Sequence, residues 1–105
     1  MAKSKTGVTK ALKMRIEFQL WGQLREAVEG PSATLTLPTP RTLNDAIVSL
    51  AGQYPGLAPR ILNEDKSIRA SILIFQDGQQ LGPDALGRLL ENDTSFTLMS
   101  PIAGG

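Results

Sequence analysis

Only one stretch of this chain repeats its apolar residues at a helical period for long enough to make a full helix. Leu43, Ala46, Ile47, Leu50 and Ala51 fall at i, i+3, i+4, i+7 and i+8, which is one helix face. Thr42 stands before the stripe as an N-cap, with Asp45 three residues on in a loose capping box, and Tyr54-Pro55-Gly56 stops it. The other apolar residues mostly alternate with polar ones, so this single helix must cover a sheet. Met14, Ile16, Phe18 and Leu20 alternate without a break over 14–20, the period of a half-buried strand. Residues 33–37 alternate again and end at Pro38 and Pro40, which cannot donate to a ladder.

A third strand is predicted over 67–75, with Ile68, Ala70, Ile72 and Ile74 on one face. Asp77-Gly78 marks a tight hairpin into a short strand, Gln79-Gln80-Leu81. Residues 83–90 read as a short helical or irregular connection that buries some of Leu86, Leu89 and Leu90. Asn92-Asp93 then turns the chain into a last strand over 94–99, with Phe96 and Leu98 inward. Residues 21–28 read as a loop or short helical turn, and 57–62 add one further turn of helix. The order is two strands, one long helix and three strands. That is an α+β chain with a mixed sheet of about four to five strands and one helix packed on one face, a β-grasp or ubiquitin-like arrangement. A ferredoxin-like fold would need a second full helix, and 83–90 is too short and glycine-broken to supply it.

At 105 residues the chain is one domain by length. Lys3, Lys5, Lys10 and Lys13 stand in the first thirteen residues with no acid among them, whereas the remainder is mildly acidic. Residues 1–13 are therefore expected to be a basic, disordered extension and 14–105 the domain. Four lysines without interleaved aromatics or arginines are weak evidence for nucleic-acid binding, and no nucleic-acid partner is expected. No apolar run approaches the ~18 residues of a membrane span and none follows the first lysines as a signal peptide requires, so no membrane association is expected and the cytoplasm is the expected compartment.

With no Cys and no His, the chain lacks thiolate chemistry, disulfides and the commonest base and metal ligand. No metal site is expected. Acid pairs such as Asp84 with Glu91, or Glu64 with Asp65, sit at predicted turns where carboxylates are commonly just solvated. Gly78, Gly82 and Gly87 are not followed by the Lys-Ser/Thr of a phosphate loop. The chain does carry Gly104-Gly105 directly after Ser100-Pro101-Ile102-Ala103. Glycines can pass through a channel too narrow for side chains, and Pro101 favours an extended residue before it. Six residues span about 20 Å at full extension. Such a segment delivers its own main-chain carboxylate, which becomes an electrophile once activated, for example as an acyl-adenylate made by a partner with ATP.

From Met14 to Gly105 the chain resembles the MoaD/ThiS family of ubiquitin-like sulfur carriers. The resemblance rests on the run from Phe18 to Glu26 (Phe-Gln-Leu-Trp-Gly-Gln-Leu-Arg-Glu), the Thr42-Leu43 helix start, and the ending Met99-Ser100-Pro101-Ile102-Ala103-Gly104-Gly105. Tyr54-Pro55-Gly56-Leu57 with Arg60-Ile61-Leu62 is similar to the CysO-like branch. The family commonly has Asp-Gly-Asp before its last strand; here Glu91-Asn92-Asp93-Thr94 stands there, with an Asn that tolerates positive φ. The stretch 82–90 is longer than in the compact molybdopterin-synthase subunits.

The resemblance implies a carrier and not an enzyme, with no bound cofactor. Gly105 would be adenylated by an E1-like enzyme using ATP, and a sulfur donor would convert the adenylate to a thiocarboxylate. Pro101, Ile102, Ala103 and Gly104 would thread into the partner's active site. The acceptor would be a molybdopterin-synthase large subunit or a cysteine-synthase type of enzyme. Two alternatives remain: a ubiquitin-like modifier conjugated through Gly105 to target lysines, and a non-catalytic β-grasp interaction module. A docking surface is expected where Leu73, Phe75 and Met99 lie on the faces opposite Ile72, Ile74 and Leu98. Finding all three buried, under 83–90 or the tail, would remove it.

Overall fold

The alternation over 14–20 is realised in β1 (Lys13–Trp21), whose even-numbered residues are buried and odd-numbered ones exposed. The computed structural model describes residues 13–100, and the structural statements below concern these. The strand takes in Lys13, the last residue of the expected extension, and runs one residue past Leu20 to include Trp21. Helix α1 (Leu24–Val28) follows, held down by the fully buried Leu24. Strand β2 (Ser32–Pro38) returns antiparallel to β1 at one edge of the sheet and ends at the proline.

The predicted helix is α2 (Leu43–Gln53). Its five stripe residues are all buried, and the Thr42 hydroxyl accepts the Asp45 amide at 3.0 Å. Thr42→Ala should therefore lower stability by about 1 kcal/mol, read as a shift in denaturant midpoint at unchanged slope. Helix α3 (Ala58–Ile61) supplies the extra turn and buries Ile61.

The third strand is shorter than its alternation suggests. Only β4 (Leu73–Gln76) joins the sheet. Ile68 makes an isolated bridge to Leu62, and the Ile72 amide donates to the Arg69 carbonyl at 3.1 Å, closing a turn that leaves Ala70 exposed. Local polar bonds compete with the ladder here. The Asp65 carboxylate accepts both the Ser67 hydroxyl, at 2.6 Å, and the Ser67 amide, at 3.0 Å.

The hydroxyl first and the amide second hold the Asp65 pKa below its ordinary 3.8. The carboxylate's stabilising effect is thus present above pH 3.8 and is lost as pH falls through the lower folded value. NMR titration of Asp65 should show the lowered midpoint, and any stability deficit of Asp65→Asn at neutral pH should vanish in acid.

At the hairpin, Asp77 and Gly78 take φ of 52° and 81°, the left-handed pair that an Asp-Gly turn supplies, leading into β5 (Gln79–Leu81). The connection over 83–90 resolves into a 3-10 helix (Pro83–Gly87) and β6 (Leu89–Leu90). Strand β6 pairs antiparallel with β3 (Arg41–Thr42), and the Arg88 carbonyl accepts the Leu43 amide, fixing the start of α2. Ala85 and Leu90 are buried and Leu86 half-buried, but Leu89 is 57% exposed, because the ribbon's alternation turns it outward. Asn92 needs no positive φ. Instead the Asp93 carboxylate accepts the Arg15 amide at 2.8 Å and ties the turn to β1.

Strand β7 (Thr94–Met99) completes a five-stranded sheet in the order β2-β1-β7-β4-β5. It runs parallel to β1 and antiparallel to β4, at the centre of the sheet. This is the β-grasp, ubiquitin-like fold. Helix α2 and the 3-10 helix pack together, and the core between helices and sheet holds Ile16, Phe18, Leu20, Leu50, Ile74 and Phe96. No helix among the described residues is long and apolar enough to cross a membrane.

Candidate functional site

The expected reactive residue Gly105 and its approach, Pro101, Ile102, Ala103 and Gly104, lie outside the described residues. The structure shows where that segment departs and what surrounds the point of departure. Met99 ends the central strand, with Trp21 of β1 opposite it on one side and Leu73 of β4 on the other. The three residues make one row across three adjacent strands, because paired residues project to the same face. Phe75 stands two residues along β4 from Leu73, opposite Thr97, and so on that face as well.

Among the described residues, none of the expected docking residues is fully buried. Leu73, Phe75 and Met99 are each half-buried, and Trp21 is 48% exposed. The 3-10 helix, which could have hidden them, packs against α2 on the other side of the sheet. The outer face therefore carries an apolar patch at the end from which the chain continues toward Gly105. Farther along, the same face turns polar through Gln19 and Thr97, then Glu17 and Ser95. An apolar strip ending in polar neighbours suits docking against a partner.

Trp21 is the member that sequence reasoning missed by assigning it to a loop. The signal was available, since alternation continued by one residue past Leu20 places Trp21 on the outer face. Its orientation depends on α1. The Arg25 guanidinium lies 5.3 Å from the Trp21 ring centroid, and its Nε donates to the Leu20 carbonyl at 2.8 Å. This cation–π contact contributes on the order of 0.5–1 kcal/mol at an exposed site. Gly22 permits the geometry through a φ of 68°, and a Cβ there would come within 3.5 Å of the Ser100 carbonyl. Strand end, α1 and the departing chain thus meet within one residue of Trp21.

Side-chain chemistry is sparse. Asp84, Glu91, Glu64 and Asp65 are all exposed, and Asp65 is engaged with Ser67. Among the described residues, no group of three or more Asp, Glu, His or Cys gathers as a metal site. An ion pair of Arg60 with Glu26, at 3.9 Å, links α3 to α1 on the surface.

No family model matches the chain. It is 26% identical over 93 residues to small archaeal modifier protein 3 of Haloferax volcanii, an alignment covering 88% of this chain and all of that protein. The crystal structure of SAMP1 from Haloferax volcanii superposes with a TM-score of 0.75 at 23% identity, covering 87% of this chain and 99% of that one. A putative molybdopterin converting factor, subunit 1, from Pyrococcus furiosus superposes with a TM-score of 0.64 at 11% identity, covering 85% and 99%. The structures establish the shared fold, and the relative is named as a small modifier protein.

Proposed function

We propose that the chain is a ubiquitin-like carrier whose Gly105 carboxylate is adenylated by an E1-like enzyme with ATP and then converted to a thiocarboxylate. The observation that carries this reading is the exit of the central strand beside the Trp21–Met99–Leu73 row. A partner docked on that row lies next to the origin of the segment that delivers the carboxylate. In the first step a carboxylate oxygen attacks the α-phosphorus of ATP and pyrophosphate leaves. Sulfide then attacks the acyl carbon and displaces AMP, leaving the thiocarboxylate, so the sulfur rides on the main chain and no cysteine is required. The sulfur would pass to a molybdopterin-synthase or cysteine-synthase type of acceptor in the cytoplasm.

A second reading is favoured by the similarity to small archaeal modifier protein 3. There a lysine amine of a target protein attacks the same adenylate and forms an isopeptide bond. Intact-mass measurement after incubation with an E1-like enzyme, ATP and sulfide separates the two. A gain of about 16 Da marks replacement of oxygen by sulfur at the acyl carbon, and whole-chain adducts on target lysines mark conjugation. Neither product, with adenylation also absent, would refute activation of Gly105.

The docking row makes its own prediction. Met99→Asp places a carboxylate in the centre of the contact and should lower kcat/KM for adenylation by about tenfold or more, as for a central interface residue. The circular dichroism melt should stay close to that of the parent because the side chain lies on the outer face. Unchanged kcat/KM would move the docking surface elsewhere.

A further inference from the structure

The two edges of the sheet are unlike. Strand β5, at one edge, has three residues, a length that gives an incoming strand little to pair with. Strand β2, at the other edge, has seven, Ser-Ala-Thr-Leu-Thr-Leu-Pro, and none of them is charged. Charges, bulges and shortness are the usual guards of a free edge. Only the terminal proline guards β2.

The phase of the ladder shows which backbone groups are free. The Leu20 amide donates to the Pro31 carbonyl at 2.8 Å, and this pair continues the β1–β2 register. Bonded pairs recur at every second position of an antiparallel ladder, so Ala33, Leu35 and Leu37 turn their amides and carbonyls toward β1. Those of Ser32, Thr34 and Thr36 point away from the sheet, and among the described residues no strand, turn or cap bonds them. Thr34 and Thr36 are exposed.

A second copy of this edge complements the first. With the two strands antiparallel and Leu35 opposite Leu35, the outward groups of Thr34 meet those of Thr36 in the other copy, and Ser32 meets Pro38. The proline then costs the ladder one bond at each end, since it lacks only its amide. On the helix side Leu37 lies against Ala33 of the other copy, large beside small. Leu37 is the inward residue of β2 that stays half-buried, whereas Ala33 and Leu35 are 5% and 2% exposed. On the outer face threonine stands beside threonine, a favourable cross-strand pair. Glu17 is the register partner of Thr34 and Arg15 that of Thr36. Each of those rows therefore runs from a carboxylate on one copy to a guanidinium on the other.

We propose that the chain forms a two-fold dimer by antiparallel pairing of β2 with β2 of a second copy, which joins the two sheets into one. The β1–β2 register ends at Gln19 and Ser32, short of Trp21, so the pairing leaves the Trp21–Met99–Leu73 row open in both copies. The dimer is independent of how Gly105 reacts. One strand per copy makes a smaller contact than the ~1,200–2,000 Å² of stable interfaces, so concentration controls the assembly.

Sedimentation velocity and NMR of the full chain from about 10 μM to about 1 mM test the pairing. The sedimentation coefficient should rise with concentration from monomer toward dimer, with amide shifts concentrated at Ser32, Thr34 and Thr36. In a mixture of differently labelled copies, a contact between the Hα atoms of Ala33 and Leu37 is expected across the two molecules, because they form a close, non-hydrogen-bonded pair. Thr34→Pro removes an amide that the sheet of one copy does not use. It should raise the dissociation constant by at least about tenfold, a ladder bond being lost from each copy. Thr34→Lys keeps that amide, adds an edge charge at an exposed position and should also weaken association several-fold, which serves if the proline variant fails to fold. A monomer at every concentration would overturn the proposal. So would association that folded variants leave unchanged, or shifts centred on Leu73 and Met99, which would assign self-association to the outer row.

Discussion

Removing Gly104 and Gly105 is expected to abolish adenylation while leaving the unfolding midpoint where it was. Leu98 is the last buried residue among those described, six positions before Gly104, so the described core is untouched by the truncation. Truncation leaves a carboxylate on Ala103, drawn back by about 7 Å. A misplacement of about 1 Å at reacting atoms can cost on the order of a hundredfold, so at least that loss is expected in ATP–pyrophosphate exchange. Gly104→Val keeps the length and adds only a branched side chain. It should fall between the parent and the truncation if the partner's channel is narrow. Exchange at the parental rate after truncation would identify the chain as an interaction module with an incidental ending.

Phe96→Ala should have the largest effect on stability. Phe96 is 2% exposed and stacks on the fully buried Phe18, with centroids 6.0 Å apart and planes at 25°. The pair spans the parallel contact between β1 and β7, where Phe18 and Phe96 are register partners. Truncating a buried Phe costs about 3–5 kcal/mol through lost transfer energy and the cavity left behind. That is a large share of the stability of a domain this size. At about 4–8 °C per kcal/mol the melting midpoint should fall by more than ten degrees. A drop below about 1 kcal/mol would mean that the core closes over the gap. Activity should fall with the fold in Phe96→Ala, whereas Met99→Asp, three residues on and on the outer face, separates docking from stability.

Local period and turn chemistry made much of this architecture legible. The β1 alternation, the α2 stripe, its Thr42 cap and the Asp77-Gly78 hairpin are each encoded within a few residues, and each appears where it was read. The shortening of β4 was harder to read. Ile68, Ala70, Ile72 and Ile74 keep a strand period, but Asp65 and Ser67 bond each other and the backbone turns between Arg69 and Ile72. Strand β6 was missed because two residues carry no period, and it exists only by pairing with β3. Trp21 was read with the loop over 21–28, although it continues the β1 alternation by one residue and Gly22 turns the chain only after it.

By itself, the sequence determined the order of the main strands and the long helix, the apolar stripes of β1 and α2 and the presence of Gly104-Gly105, because these depend on spacing along the chain. Only the tertiary structure decided which sheet face stays open. Leu73, Ile74 and Phe75 are apolar on both faces of β4, so alternation could not choose between them. The choice came from placing α2 and the 3-10 helix on the same side, so that no helix among the described residues is layered over Trp21, Met99, Leu73 and Phe75. The central position of β7 was decided in the same way. Its parallel pairing with β1 joins residues nearly eighty positions apart, and no local pattern specifies a contact whose energy appears only once the whole sheet has closed.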